Sequence, residues 1–290
     1  MKLLFYSIII ITLLTDQAQV KVKHVCKLPD SIKESSGLIF ENNNSFWTHN
    51  DGGNPDFLYH IDTNGSIIKQ VKILRKNNDW EEMTVYKDKI LIGDFGNNLN
   101  SRKNLAIHII DKKDLENESE IMPKTLFFRY QDQKSFPPAS SELFYDCEAM
   151  ICVNDSVYLF SKNRSKPFDG TIKVYSLPVK SGDYIAKNVS TISTGGKSMY
   201  NWWVSGAALV KNDLYLLSTN KIFIVRDFIS NIYQTHQASI VNLTGFSQKE
   251  ALCYDGKNHI YYTDEVFYLT GGNLSKSKIS DIEKCLNTKD

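Results

Sequence analysis

The same two-strand pattern occurs five times along this chain, and every copy opens with an oxygen-bearing side chain. The five starts are Ser36, Glu81, Glu148, Ser205 and Glu250. Thirteen positions after each start a second apolar strand ends, at His49, Asp94, Ser161, Ser218 and Thr263. Because this spacing holds five times without slippage, it indicates a repeated structural unit.

The segments between the copies favour an all-β propeller. Further short apolar or β-branched runs follow the copies, among them FLYHID, NLAIHIID, GTIKVYSL and IFIVRD, and turn-rich segments separate them. Successive starts lie 45, 67, 57 and 45 residues apart, which is enough for a four-stranded antiparallel sheet each time. The count predicts a five-bladed β-propeller. Six blades, with a degenerate blade between residues 81 and 148, is the alternative.

The last copy contains only three evident strands. The segment VKHVCKL, residues 22–28, has the composition of a strand and precedes the first copy. We expect it to supply the fourth strand of the last blade, because joining the two chain ends in one blade removes exposed strand edges. Residues 19–290 are therefore predicted to form a single propeller domain.

The N-terminus resembles a secretory signal peptide. One early lysine precedes an apolar run from Leu3 to Leu14, and a polar stretch follows it. We expect residues 1–18 to be removed and the mature chain to be secreted or periplasmic, with no membrane association and as a monomer. An uncleaved anchor is the alternative.

Charge and cysteine content narrow the possible functions. The chain carries 34 basic and 33 acidic residues, so we expect no nucleic-acid partner that is bound through a basic field. Five cysteines are present, and their spacing lacks the paired pattern of a zinc site. A bridge between Cys26 and Cys285 is one hypothesis, and five buried thiols is the other.

The repeat starts predict a metal site. In a propeller the innermost strand of each blade lines the channel, so Ser36, Glu81, Glu148, Ser205 and Glu250 should converge at one mouth. Three carboxylates in a narrow channel repel one another, and Ca²⁺ accepts six to eight oxygen ligands, whereas Mg²⁺ demands a tighter octahedron. We therefore predict a Ca²⁺ site on these five residues. Polar strand starts that face water are the alternative, and Glu34 and Glu82 are the candidates if the register differs.

The second strands bring further polar residues to the same mouth. They are His49, Asn50, Asp51, Asp94, Asn97, Lys162, Asn163, Arg164, Thr219, Asn220, Asp264 and Glu265.

The order Ser, Glu, Glu, Ser, Glu resembles the calcium-activated nucleotidases, the apyrase family. That resemblance implies a five-bladed propeller with one channel Ca²⁺, ligated by Ser36, Glu81, Glu148, Ser205 and Glu250, that cleaves nucleoside di- and triphosphates. Where those proteins carry paired aspartates followed by arginine, this chain has HNDG at residues 49–52.

A second resemblance is to secreted bacterial propellers of unsettled function. The shared stretches are ESSGL, HND, DWEEM, GDFGNN and DCEAM, at residues 34–38, 49–51, 79–83, 93–98 and 146–150. The chain is also similar to six-bladed lactonases, with Glu148, Asn163, Asn220 and Asp264 as their calcium ligands. The count of five repeats argues against that third comparison.

Two functions follow as hypotheses. The first is a calcium-dependent hydrolase of a small anionic phosphoanhydride, in which Asp51 or Asp94 activates water and Arg102 or Arg164 stabilises the developing charge. The second is a non-catalytic propeller that calcium stabilises and that binds a glycan or protein at the channel mouth. Exposed aromatic residues would favour the second, and the candidates are Trp47, Trp80, Trp202 and Trp203.

Overall fold

The structure is a computed structural model that describes residues 19–41, 44–267 and 270–287. The predicted signal peptide, residues 1–18, lies outside the described residues. No helix in the described ranges is long and apolar enough to cross a membrane. The described chain begins with two short strands, β1 (Gln19–Val20) and β2 (Lys23–Lys27).

The remaining strands group into five antiparallel sets, which we name units 1 to 5 in chain order. The outermost strands of units 2 and 3 also pair in parallel, so these two units share one continuous sheet. Unit 1 contains β3 (Ser35–Glu41), β4 (Ser45–Asn50), β5 (Phe57–Asp62) and β6 (Ile67–Ile73). Unit 2 contains β7 (Trp80–Tyr86), β8 (Lys89–Asp94), β9 (Leu105–Asp111) and β11 (Lys124–Tyr130). Between β9 and β11 lie α1 (Lys112–Asn117) and the short β10 (Glu120–Ile121), which pairs with β6 of unit 1. Unit 3 contains β12 (Asp146–Val153), β13 (Ser156–Lys162), β14 (Thr171–Pro178) and β15 (Gly182–Ser193).

Units 4 and 5 complete the molecule. Unit 4 contains β16 (Gly206–Val210), β17 (Asp213–Leu217), β18 (Lys221–Val225), the short β19 (His236–Gln237) that pairs with β15, and β20 (Ser239–Leu243). Unit 5 contains β21 (Lys249–Tyr254), β22 (His259–Asp264) and β23 (Asn273–Lys278), followed by α2 (Ile279–Asn287). Single 3-10 turns lie at Asp30–Ile32, Ser140–Glu142 and Ile229–Asn231.

The units close into a ring. The first strands β3, β7, β12, β16 and β21 contact one another in sequence, and β21 contacts β3. The prediction of an all-β propeller is therefore confirmed. Strand β2 pairs antiparallel with β23, so the segment VKHVCKL supplies the fourth strand of unit 5, as its sequence predicts. Strand β1, just before that segment, pairs parallel with β20, so β1 and β2 together join unit 4 to unit 5.

The hydrophobic core is divided among the interfaces between neighbouring units. Five clusters of buried side chains lie between units 1 and 2, 2 and 3, 3 and 4, 4 and 5, and 5 and 1. Cys26 packs in the cluster between units 5 and 1, whereas Cys285 packs at the cluster between units 4 and 5. The hypothetical bridge between these two cysteines is absent from the described part of the chain.

A β-bulge lies at the same position of the innermost strand in four of the units. The extra residue of each bulge is a repeat start, namely Ser36, Glu81, Glu148 and Glu250. The fifth start, Ser205, directly precedes β16, and its amide donates to the carbonyl of Leu217 at 3.0 Å. Because a bulge leaves one residue out of the ladder and redirects its side chain, the repeat is a device for pointing these side chains toward the channel.

The carboxyl group of Glu82 spans the channel just below the bulges. It is fully buried, and it accepts amide hydrogen bonds from Met83 at 2.9 Å and from Ala207 at 3.0 Å. Ala207 belongs to unit 4, which is not a neighbour of unit 2 in the ring. One side chain therefore connects two units across the centre, and burial raises the pKa of that carboxyl well above its usual range.

We expect Glu82→Ala to lower the free energy of unfolding by roughly 2–4 kcal/mol, because two buried amides lose their acceptor and a cavity forms. Glu82→Gln keeps one acceptor and should cost about half as much. The measurement is urea denaturation, with the exposed Glu118→Gln as control. Equal denaturation midpoints for Glu82→Ala and the native chain would contradict the cross-channel role.

Candidate metal centre at the channel mouth

Three of the predicted ligands are buried carboxyls that interact electrostatically at one end of the channel. Glu81, Glu148 and Glu250 are all buried. Burial raises the pKa of each carboxyl, the charge of Glu148 raises those of Glu81 and Glu250 further, and the pKa of Glu250 reaches about 8. The ring of glutamates therefore holds more negative charge than this desolvated site can keep ionised without a cation.

The ammonium of Lys162 lies among these carboxylates. Its Nζ donates to Oε1 of Glu148 at 2.7 Å, and its side chain is 13% exposed. Burial disfavours its charge, but the carboxylates of Glu148 and Glu250 outweigh burial and raise its pKa. Lys162 thus supplies one positive charge inside the structure, and it neutralises only part of the cluster.

Among the described residues, Asp51, Asp79 and Glu81 form a compact group of carboxylates. One oxygen from each lies within 4.8 Å of the others, which is about twice the Ca²⁺–oxygen distance of roughly 2.4 Å. Gly52 and Gly96 make room for this group, because a Cβ at either position would collide with the carboxyl of Asp79, and one at Gly96 would also collide with that of Glu81.

Two of these carboxylates lack hydrogen-bond donors. Among the described residues no hydrogen bond or ion pair reaches the side-chain oxygens of Asp79 or Glu81, although Glu81 is 4% exposed. Burial raises the pKa of both. Asp51 is half-buried, and burial together with the charge of Glu148 raises its pKa to about 7. Carboxylates without donors in a space of this size fit a hard cation that prefers oxygen ligands.

The two predicted serine ligands bond to the next unit. Ser36 Oγ donates to the carbonyl of Glu81 at 2.8 Å, and Ser205 Oγ donates to the carbonyl of Lys249 at 2.6 Å. Each hydroxyl therefore joins the inner strand of one unit to the inner strand of the following unit. A hydroxyl that donates its proton in this way still has lone pairs to offer to a cation.

Asp94 and Arg102, two predicted catalytic residues, form a buried ion pair. Arg102 Nη2 lies 2.7 Å from Oδ1 of Asp94, and Asn78 Nδ2 donates to Oδ2 at 2.7 Å. Burial would raise the pKa of Asp94, but its interactions with His108 and Arg102 lower it. The carboxylate is therefore a weak base, and the guanidinium is already neutralised.

Arg164, the other predicted catalytic arginine, is also paired. Its Nε donates to Asp146, and its Nη2 lies 4.0 Å from Oε1 of Glu148. The guanidinium lies 4.7 Å from the ring centre of Trp203, so it packs between the acidic cluster and an aromatic face.

An aromatic cavity opens beside the carboxylates. It measures about 420 Å³ and lies between units 4 and 5, and its lining includes Lys162, Glu250, Glu265 and four aromatic side chains, Tyr200, Trp203, Phe246 and Phe267. Tyr200 and Phe246 are each 75% exposed, which is costly for large apolar side chains unless something packs on them. Burial and the charge of Glu250 raise the pKa of Glu265 to about 9.

The other tryptophans are placed in the core. Trp80 and Trp47 are buried, Trp47 stacks on His60 at 4.7 Å, and Trp202 stacks on Phe223 at 5.7 Å. Of the four candidates for a binding face, Trp203 is the one that lines the cavity.

Sequence reasoning missed Asp79 as a candidate ligand; it named Glu81 as a ligand and Asp51 as a catalytic residue. The missed residue begins DWEEM, and Gly96 lies within GDFGNN, so both belong to stretches that the bacterial propellers share. These shared stretches contain residues that form the carboxylate group, so they were the sequence signal that could have pointed to Asp79.

In a chelating buffer we expect the stability of the protein to fall as pH rises from 5 to 9. The folded-state pKa values of Asp51, Glu250 and Glu265 are about 7, 8 and 9, against roughly 4 in the unfolded chain. The folded state therefore binds more protons across this window and loses that advantage as pH rises through those values. Melting temperatures at pH 5, 7 and 9 test this.

The double variant Glu250→Gln with Glu265→Gln should flatten the dependence of melting temperature on pH. The matched control, Glu116→Gln with Glu118→Gln, should leave that dependence unchanged. A flat profile for the native chain would refute the charge clustering.

Comparisons with known proteins show the fold. No family model matches the chain, and no curated protein matches it. The crystal structure of glutaminyl cyclase from Myxococcus xanthus is similar over 90% of this chain and 97% of that chain, with a TM-score of 0.52 and 8% identity. The PQQ-bound aldose sugar dehydrogenase from Streptomyces coelicolor is similar over 90% and 98%, with a TM-score of 0.53 and 10% identity. Both are bacterial β-propeller-like proteins, and this chain shares their fold.

Proposed function

We propose that this protein is a calcium-binding propeller that holds a small polyhydroxylated ligand, such as a sugar, at the channel mouth. The observation that carries the proposal is the group of carboxylates Asp51, Asp79 and Glu81, beside a cavity lined by exposed aromatic side chains. Among the described residues no hydrogen bond reaches the side-chain oxygens of Asp79 or Glu81.

Asp51, Asp79 and Glu81 would hold the ion. Their carboxylates are the ligand type that Ca²⁺ prefers, and backbone carbonyls or water would complete the shell. Glu148 and Glu250, with the hydroxyls of Ser36 and Ser205, form the rest of the predicted ring around the same mouth. When bound, Ca²⁺ supplies the positive charge that Lys162 alone does not, so the surrounding carboxyls ionise at lower pH.

The adjoining cavity suits a ring-shaped ligand with both apolar and polar faces. Tyr200, Trp203 and Phe246 offer flat apolar surfaces, and Glu250 and Glu265 offer hydrogen-bonding oxygens beside them. Sugars have this combination of a C–H face and hydroxyl edges. The same carboxyls also make the mouth acidic, which disfavours an anionic ligand without a bound cation.

Calcium-dependent hydrolysis of a phosphoanhydride is the second candidate, and Asp51 favours it. This carboxyl lies within 4.8 Å of those of Asp79 and Glu81 at the channel mouth, so beside a bound ion it would be ionised and placed to take a proton from water. Arg102 and Arg164 are committed to Asp94 and Asp146. The ion and Lys162 would therefore have to neutralise the phosphate charge.

Calcium should raise the melting temperature of the mature chain by roughly 5–10 °C at a concentration a hundred times Kd. The double variant Asp79→Asn with Glu81→Gln should lose this rise, because it removes two ligands. Without calcium it should melt no lower than the native chain, because it also removes repelling charges.

The control is Glu116→Gln with Glu118→Gln, two exposed acids on and beside α1, which should keep the rise. Calorimetric titration at pH 7 gives the stoichiometry, and a native chain that does not bind calcium would refute the proposal.

Fluorescence titration separates the two candidate functions. With calcium present, neutral oligosaccharides of several linkages should quench Trp203, and Tyr200→Ala or Phe246→Ala should weaken binding at least roughly tenfold, a loss of about 1.4 kcal/mol. Tyr233→Ala removes an exposed aromatic residue outside the cavity and should bind like the native chain. Release of phosphate from nucleoside diphosphates that Asp51→Asn abolishes, without sugar binding, would favour the hydrolase instead.

A further inference from the structure

A second cavity, far from the inner strands of the ring, is lined by basic side chains. It measures about 390 Å³ and lies on the outer strands of unit 5, against the start of α2. Its basic lining residues are Lys21, Lys23, Lys276, Lys278 and His259. The chain as a whole carries a net charge of only +1, so this is a local concentration of positive charge.

The register of the sheet places like charges opposite one another. Lys23 on β2 pairs directly with Lys276 on β23. Lys278 pairs with His259 on β22, and Nδ1 of His259 lies 3.3 Å from Oδ2 of Asp255. Like charges directly opposite in antiparallel strands are destabilising. Strand geometry places the Cβ atoms of Lys23 and Lys276 about 5 Å apart across the strands, and Lys276 and Lys278 about 7 Å apart along β23. We call these three residues, together with Lys21 on the link before β2, the lysine grid.

In the part of the chain that the structure describes, no ion pair neutralises the lysines of this grid. Among the described ion pairs none involves Lys21, Lys23, Lys276 or Lys278. Asp281 also lines the cavity, but it forms none of the described ion pairs. The repulsion therefore remains in the isolated chain.

The backbone beneath the lysines is fixed by hydrogen bonds. Ser277 Oγ donates to the carbonyl of Lys21 at 3.1 Å and lies 2.7 Å from the hydroxyl of Tyr262. The amide of Val22 donates to Oγ1 of Thr244 at 2.9 Å. The crossing of the chain from unit 4 to unit 5 is thus anchored on both sides, and the backbone that carries Lys21 and Lys23 is fixed.

We propose that this cavity binds a compact polyanion with at least two phosphate or sulfate groups. A grid of four ammonium groups offers adjacent positions for two or more anionic groups, and a single monovalent anion would leave most of the repulsion in place. The cavity is concave and small, which favours a compact ligand over a flat anionic surface. Binding would replace the repulsion between Lys23 and Lys276 with charge-assisted hydrogen bonds.

This site would be independent of the calcium site, because its residues lie on the outer strands β2 and β23 and on the link that precedes β2. A ligand in this cavity would contact both the closing strand β2 and strand β23. The closing strand would then take part in ligand binding as well as in closing the ring.

The test is calorimetric titration with tripolyphosphate at low salt, in buffer free of divalent cations, with inorganic phosphate as the probe of lower charge. We expect tripolyphosphate to bind at one site and at least tenfold more tightly than phosphate. Lys23→Gln with Lys276→Gln should abolish that binding, and Lys124→Gln with Lys180→Gln, two exposed lysines elsewhere, should leave it intact.

A second measurement guards against a variant that simply fails to fold. Without any anion, Lys23→Gln with Lys276→Gln should melt at a higher temperature than the native chain, because it removes facing like charges. Lower melting of that variant, or equal loss of binding in the Lys124→Gln and Lys180→Gln control, would overturn the proposal.

Two further arms identify the source of the anion. Competition by a sulfated oligosaccharide would support the site and extend it from phosphate to sulfate. Binding to phosphatidylserine vesicles with no binding of tripolyphosphate would overturn the proposal in favour of a membrane surface.

Discussion

The repulsion among carboxylates at one mouth of the channel is the constraint on which the rest of this structure depends. Bulges in the inner strands direct Glu81, Glu148 and Glu250 toward one small volume, and burial there removes the water that would screen them. The ammonium of Lys162 lies among them, and the guanidinium of Arg164, already paired with Asp146, lies 4.0 Å from Glu148. A ligand of this site must interact with the excess negative charge, and a cation is the simplest species that reduces the repulsion.

Closure of the ring is what keeps such a costly arrangement together. Each interface between neighbouring units has its own hydrophobic cluster, so the ring holds only if every interface forms. The closing strand β2 completes unit 5, and β1 reaches unit 4. Glu82 adds a connection across the centre, and Ser36 and Ser205 add connections between adjacent inner strands. The polar groups near the mouth therefore serve the fold as well as the candidate site.

The repeat made the propeller and its closing strand predictable, because a fixed spacing between strand starts determines which residues share a layer. The same spacing led us to expect Glu81, Glu148 and Glu250 at one mouth, and in the structure all three are buried beside Lys162 or one another. It did not identify Asp79, because that residue lies on the loop before β7 and reaches the cluster only through the close approach that Gly52 and Gly96 permit. Contacts that depend on loop geometry leave no periodic signal.

The sequence also did not show which acidic residues pair with the two arginines. Arg102 and Arg164 have the residue type expected near a phosphate, yet each is neutralised by a nearby aspartate, and only the three-dimensional pairing shows this. The overall composition does not show how charge is distributed, because basic and acidic residues are nearly equal in number. The fold nevertheless concentrates carboxylates near the starts of the inner strands and lysines on the outer strands of unit 5. Two oppositely charged sites in separate layers of one propeller can each bind a ligand without neutralising the other, because distances beyond about 10 Å are largely screened in physiological salt.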